Sequence, residues 1–181
     1  GSTATFEVLS GGTATFSSTF SMNDAAGTGN VVVDGAGSTI TVAGNTSIVG
    51  SATNTLTISN GGTFATGANF NYDLTNLNIG GGGSRFELGT GGTGGAMTQL
   101  NSITIASGGT FAVNNDFDVS TNGFNWNDGG TLSVQGELVG MPTSTEFVAH
   151  DVLDGNNKKL LLDGGVWTNA SNPISIGMHG S

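Results

Sequence analysis

There is no cysteine among the 181 residues, and only two prolines, three basic residues and two histidines. Without cysteine there is neither a disulfide framework nor a thiolate metal site, and the compartment is left open, the cell exterior included. Charged residues make up 9% of the chain, well below the roughly 25% of an ordinary soluble domain. Charge is therefore not what keeps the surface wet; Ser, Thr and Asn take that task. The few charges are one-sided. Thirteen acids against Arg85, Lys158 and Lys159 give a formal charge of −10, which repels a phosphate backbone and argues against nucleic acid as a partner.

No stretch approaches the ~20 apolar residues of a membrane-spanning helix, and none reads as a charged, apolar, cleavable leader. Gly1-Ser2 and His179-Gly180-Ser181 read as appended ends, so any signal peptide, anchor or sorting tail is expected to have been trimmed. Helical patterning is nearly missing as well. A disordered chain combines low hydrophobicity with high charge, whereas here aliphatic and aromatic residues recur at regular places. One elongated all-β domain over residues 3–176 is the expectation.

What the chain has in quantity is glycine, 33 residues of it, and a Gly-Gly pair that returns with the same apolar neighbours. Counting from the first glycine of the pair at Gly11, Gly61, Gly108 and Gly129, position −5 holds Phe6, Leu56, Ile103 and Phe124. Position −3 holds Val8, Ile58, Ile105 and Trp126, and position +9 holds Phe20, Phe70, Phe117 and Leu138. Fixed spacing across otherwise dissimilar segments means that each places equivalent side chains in the same direction, one segment stacked on the next. Alternating stretches such as Thr55-Leu56-Thr57-Ile58 and Ser102-Ile103-Thr104-Ile105 are strand patterning. Small polar residues before the glycine, Ser10, Asn60, Ser107, Asp128 and Asp163, suit a tight turn.

Two degenerate copies, Val32–Val42 with a longer turn and Leu77–Leu88 through Gly82-Gly83, fill the gaps. Turn origins then fall at Gly11, Gly35, Gly61, Gly82, Gly108, Gly129 and Gly164. Glycines also space the hairpins of a β-sandwich or propeller, but hairpins reverse strand direction at each turn, and here strand, Gly-Gly, strand, third strand repeats in one sense. The pattern predicts a parallel β-helix (β-solenoid) of about seven coils, each rising about 4.8 Å. Its core rows are −5, −3, +3 and +9, with Phe64, Phe111, Leu132 and Trp167 at +3. Thr13, Thr63, Thr110 and Thr131 form a +2 row that reads as a turn-side threonine ladder. Residues 141–159 are less regular and are expected to form an insertion or the start of a cap.

Val33-Asp34-Gly35-Ala36-Gly37-Ser38-Thr39-Ile40, followed by Ile48-Val49-Gly50-Ser51 and Thr55-Leu56-Thr57-Ile58-Ser59-Asn60-Gly61-Gly62-Thr63, resembles a repeat shared by two groups of exported bacterial proteins. These are the passengers of type V secretion (autotransporters) and the proteins with PEP-CTERM sorting signals. The resemblance covers residues 31–70 and is echoed at 103–119 and 124–139; it does not extend to an outer-membrane barrel or a sorting tail. It implies a right-handed parallel β-helix displayed outside a Gram-negative-type cell, extracellular or on the cell surface, as a stalk, adhesin or surface-layer element.

Parallel β-helices also carry polysaccharide lyases and glycosidases, and glycoside hydrolysis needs two carboxylates about 5 to 9.5 Å apart. Asp116 and Glu137 share position +8 one coil apart, and Asp118 lies on the same side of the strand as Asp116. These three are the catalytic candidates and equally the candidates for calcium, which oxygen ligands would hold; no other cofactor is implied. The alternative is that they belong to a solvated face, the reading preferred here. Arg85, the basic group a lyase would want, pairs more naturally with Glu87 along its own strand.

Asp151, Asp154, Asn156 and Asn157 match no calcium loop, and Lys158 and Lys159 compete there with a cation. Gly80–Gly83 and Gly89–Gly95 lack the lysine of a phosphate loop and the aspartates of a calcium repeat. His150 and His179 are too far apart in sequence to suggest a metal pair, and there is no Gly-x-Ser-x-Gly elbow. The sequons Asn45-Thr46-Ser47 and Asn169-Ala170-Ser171 arise easily by chance in so polar a chain. Thr57 and Thr104 align, but their row continues as Glu7 and Asn125, which breaks the threonine rank that ice binding would use. Trp126 and Trp167 fall in core rows, leaving Tyr72 as the aromatic candidate for an outward contact. The expectation is an exported structural or adhesive protein that contacts glycans or copies of itself, with a carbohydrate-active enzyme as the alternative.

Overall fold

A computed structural model describes residues 2–24, 27–50, 53–91, 97–115, 117–118, 124–126, 130–139, 147–149, 159–162, 166–167 and 176–178. Every element is a strand, every pairing is parallel, and the strands stack as a β-solenoid. The first turn is β1 (Thr3–Leu9), β2 (Thr13–Phe16) and β3 (Phe20–Asp24); the second is β4 (Thr28–Asp34), β5 (Thr39–Val42) and β6 (Thr46–Gly50). The third comprises β7 (Asn54–Ser59), β8 (Thr63–Thr66) and the start of β9 (Phe70–Gly80). The rest of β9 leads into β10 (Arg85–Leu88) and β11 (Met97–Ile105), and then come β12 (Thr110–Val113) and β13 (Phe117–Asp118). Beyond lie β14 (Phe124–Trp126), β15 (Thr131–Val134), β16 (Glu137–Val139), β17 (Phe147–Ala149), β18 (Lys159–Leu162), β19 (Val166–Trp167) and β20 (Ile176–Met178).

The main sheet follows the order β1-β4-β7-β9-β11-β14, with β3 and β6 joined to it through β9, and a seven-stranded sheet runs β18-β15-β12-β10-β8-β5-β2. The long strand β9 belongs to two faces at once. Its first residues pair with β6, Thr46 opposite Phe70, and its last with β7, Leu56 opposite Leu77.

About four turns are formed, fewer than the seven that the glycine spacing predicts. A Gly-Gly pair marks a corner and not a full circuit, so counting pairs overcounts turns. The seven-stranded sheet runs on to β18, while β13-β16-β19 and β17-β20 form two separate sheets among the described residues.

Registration confirms the expected core rows where their side chains are described. Phe6, Val31, Leu56, Leu77 and Ile103 stand in line, as do Val8, Val33, Ile58, Ile79 and Ile105. All but Phe6 are buried. The +3 row is Ala14, Ile40, Phe64, Phe86, Phe111 and Leu132. Three of its rings stack nearly parallel, Phe64 on Phe86 at 5.8 Å and Phe86 on Phe111 at 5.3 Å between centroids, within the range where aromatic pairs attract beyond their burial.

One row lies outside the glycine-based reading: Phe16, Val42, Thr66, Leu88, Val113 and Val134, two places further along the same strands. It is hidden by Thr66, a buried polar residue in an apolar column. The Thr66 hydroxyl is satisfied internally, accepting from Thr46 Oγ1 at 3.1 Å and donating to the Gly44 carbonyl at 3.2 Å, as burial of a hydroxyl requires.

Two placements are corrected by the register. Leu132 is continued by Leu160 rather than Trp167, and Trp167 stands opposite Leu138 in the row of Phe117. The strand that continues the seven-stranded sheet, β18, precedes Gly164 in sequence, so position +3 counted from Gly164 does not extend the row of Leu132; Gly164 itself lies outside the described residues. The threonine row is likewise not an unbroken one. In the ladder it reads Thr13, Thr39, Thr63, Arg85, Thr110, Thr131, Lys159, with an arginine at its centre. Lys159 thus lies in the ladder, at the edge of the segment expected to be irregular.

The turns come in two forms. Ser10-Gly11 and Asn60-Gly61 have positive φ at both residues (55° and 82°, 53° and 88°), and the bonds from Gly12 N to Leu9 O and from Gly62 N to Ser59 O close them. That is the type I′ signature, which asparagine and glycine tolerate. Longer turns, Asp34–Ser38 and Gly80–Ser84, alternate with them along the chain, each ending on a wholly buried serine. Ser38 Oγ donates to Asp34 O at 2.6 Å and accepts from Gly11 N at 2.9 Å; Ser84 Oγ donates to Gly80 O at 2.7 Å and accepts from Gly61 N at 3.1 Å. Long turns are thereby clipped to the short turns beneath them.

Candidate functional site

Because side chains alternate across a strand, each inward residue of the main sheet leaves its neighbours facing out. From β1 to β11 the first outward row is Thr5, Asn30, Thr55, Asn76, Ser102 and the second is Glu7, Val32, Thr57, Asn78, Thr104, with Asn125 opposite Thr104 on β14. Over β7, β9 and β11 this makes a grid of six uncharged hydrogen-bonding groups: Thr55 and Thr57, Asn76 and Asn78, Ser102 and Thr104. All six are half-buried. Hydroxyl ranks alternate with an amide rank.

The alternation has a structural use. Thr55 Oγ1 donates to Asn30 Oδ1 at 2.8 Å, and Ser102 Oγ donates to Asn76 Oδ1 at 2.7 Å. A hydroxyl beside an amide oxygen supplies a complementary donor and acceptor, a favourable cross-strand contact of the kind that ties neighbouring strands together. In the second row Thr57, Asn78 and Thr104 make no side-chain hydrogen bond to another described residue.

Asp34 borders the grid on β4. Its Oδ1 accepts from Ser59 Oγ at 2.6 Å and from Asn60 Nδ2 at 2.7 Å. These two bonds, the serine's first, hold its carboxyl below the ordinary value near 3.8, since donors favour the ionised form. The same contacts hold Asn60, a corner residue of a type I′ turn, against the neighbouring strand.

On the seven-stranded sheet Arg85 Nε pairs with Glu87 Oε1 on the same strand, as the sequence suggested. With both groups partly exposed, the pair interrupts an otherwise neutral face made of Thr13, Thr39, Thr63, Thr110 and Thr131.

Of the acidic candidates, Asp118 and Glu137 fall on described strands. Asp118 on β13 stands opposite Val139, and Glu137 on β16 stands opposite Val166, so these two acids lie on adjacent strands but are not register partners. Asp116 lies outside the described residues, as do His150, His179, Asp151, Asp154, Asn156, Asn157, Lys158 and the sequon at Asn169. Among the described residues no three acidic or histidine side chains converge to hold a metal ion. Tyr72 stands opposite Ile48 in the register, and its side chain lies outside the described residues. In the sequon at Asn45 the Thr46 hydroxyl is buried and bonded to Thr66.

The amide rank escapes a row drawn through the four regular copies at Gly11, Gly61, Gly108 and Gly129, which passes from Thr57 straight to Thr104; counted from Gly82 of the degenerate copy, Asn78 falls at the same −4 position. The legible signal is the succession Thr-Leu-Thr, Asn-Leu-Asn, Ser-Ile-Thr. No known protein family, curated protein or solved structure matches this chain. Its function has to be read from these faces.

Proposed function

We propose that this chain is a structural or adhesive β-solenoid, a stalk or scaffold displayed on the exterior of a Gram-negative-type bacterium, whose polar faces contact glycans or other copies of itself. The observation that carries the reading is the outward grid on β7, β9 and β11, which repeats along the stack instead of converging on one point. Catalysis wants groups aimed at a single reacting atom; adhesion wants the same group offered again at every turn. The sparse charge and the absence of cysteine are compatible with exposure outside the cell, and the repeat resemblance over residues 31–70 supports export.

Probing the purified chain on a broad glycan array, once with calcium and once with chelator, together with sedimentation over a range of concentrations, tests this. Retention on a glycan class or concentration-dependent association is the expected result. Release of cleaved product from an acidic polysaccharide, abolished by Asp116→Asn and Glu137→Gln in folded protein, would replace the proposal with an enzyme.

A further inference from the structure

We infer that the grid formed by Thr55, Thr57, Asn76, Asn78, Ser102 and Thr104 is a binding site for an extended, neutral β-1,4-linked glycan lying along the solenoid axis. This rests on the glycan-contact reading above and names its ligand class.

The first argument is periodicity. Over β7, β9 and β11 hydroxyl and amide ranks alternate from strand to strand, and the first row carries the alternation back to Asn30 and Thr5, so its surface chemistry repeats every second strand. Two strand spacings come to about 9.6 Å. An extended β-1,4-linked chain turns each sugar over relative to the last and so repeats every disaccharide, over a comparable length. Successive disaccharides would meet the same pair of ranks. An α-1,4-linked chain coils and does not keep that step.

Charge is the second argument. None of the six side chains is ionisable, and the chain as a whole carries −10, so acidic polymers are repelled while a neutral ligand made of hydroxyls is not. Preorganisation is the third. The bond from Ser102 to Asn76 and that from Thr55 to Asn30 fix side chains that would otherwise lose rotamer freedom on binding. In the adjoining row Thr57, Asn78 and Thr104 keep their hydroxyl and amide groups for the ligand. Neutral hydrogen bonds are individually weak, so affinity is built by repetition along a polymer, which suits a surface whose ranks recur at every second strand.

The test is calorimetric titration of the whole chain with cellohexaose, with maltohexaose as the α-linked control and hydroxyethyl cellulose as the long polymer. Cellohexaose is expected to bind at least tenfold more tightly than maltohexaose, and the polymer more tightly still. The outward double variant T57K/T104K should lose binding at least tenfold while keeping its melting temperature within a few degrees, with T57A/T104A as a gentler second pair. Thr41→Lys, on the seven-stranded sheet, should bind as the parent does. Equal binding of the two hexasaccharides, or undiminished binding by both double variants, overturns the inference. Silence toward cellohexaose overturns the ligand class alone if another glycan is retained on the array, and overturns the glycan-contact reading with it if none is.

Discussion

Removing the hydroxyl of Ser38 or Ser84 should weaken the fold through the turns and not through the core. Each hydroxyl is wholly buried and makes two backbone bonds, one within its own turn and one to the glycine amide of the turn beneath. Alanine leaves a carbonyl and an amide without that partner. A typical hydrogen bond contributes about 0.5–1.5 kcal/mol net, and an orphaned buried group costs about 1–3 kcal/mol. Because both partners lie in turns that water can partly reach, about 2 kcal/mol for each serine is the expected loss. For a chain of this length that corresponds to a fall of roughly 4–8 °C in melting temperature. The two serines share no partner, so the double variant should lose about 4 kcal/mol, the sum. Thr39→Ala is the control, since its hydroxyl makes only an exposed 3.3 Å bond to Gly37 O and should be within about 0.5 kcal/mol of the parent. Urea unfolding followed by far-ultraviolet circular dichroism measures all four variants. Losses below about 0.5 kcal/mol at both serines, or a loss at Thr39 equal to theirs, would refute the clip between turns.

Gly67→Ala and Gly82→Ala should behave oppositely. A Cβ at Gly67 would lie 2.1 Å from Ala43 O and 2.8 Å from Ala43 C, backbone atoms of the turn below, whereas one at Gly82 meets nothing within 4 Å; the first should cost more than about 3 kcal/mol or prevent folding and the second should fall within about 1 kcal/mol of the parent, as urea midpoints will tell. Asp34 should make stability depend on acid: its carboxyl is lowered in the folded state from the ordinary value of 3.8 by Ser59 and Asn60, so it contributes fully above that ordinary value and that contribution disappears as pH falls through the lower folded value. Comparing the pH profiles of parent and Asp34→Asn melting temperatures between neutrality and strong acid checks this; parallel profiles would show that the bonds do not matter.

Fold class was legible because the signals that set it are local. Alternation such as Thr55–Ile58 selects strands, and a residue tolerant of positive φ before glycine, Asn60 before Gly61, selects the turn. Recurrence of both in one sense selects parallel stacking. What could not be read was register wherever turn length varied. The turns at Asp34–Ser38 and Gly80–Ser84 are longer than that at Asn60-Gly61, so counting from a glycine displaces every later position. That displacement moves Ile40 and Phe86 off the +3 position of their register partner Phe64, whereas Trp167 is misplaced beside Leu132 because β18, the strand that continues the row, precedes Gly164. Buried polar residues added to the difficulty. Asn54 is buried because its Oδ1 accepts from Gly29 N at 2.7 Å, a contact between residues of different turns that no single segment announces.

The two departures from regularity share one period. The strands β4 and β9, which carry Asn30, Asn76 and Asn78, are the ones that run into the long, serine-clipped turns, and the strand between them, β7, carries Thr55 and Thr57 and runs into the short type I′ turn. A stack of identical coils would set like side chains opposite one another at every step. Alternating two kinds of coil sets a hydroxyl against an amide on the outward face and a serine hydroxyl against a glycine amide at the corner, so that the same change in sequence satisfies both. The folding unit of this region is then a pair of coils, and so is the chemical unit of its outward face. A substitution that converts the amide rank to the hydroxyl rank, Asn76→Thr with Asn78→Thr, halves the chemical repeat while leaving the strand spacing untouched, and it separates the two lengths on which binding of a disaccharide-repeating polymer depends.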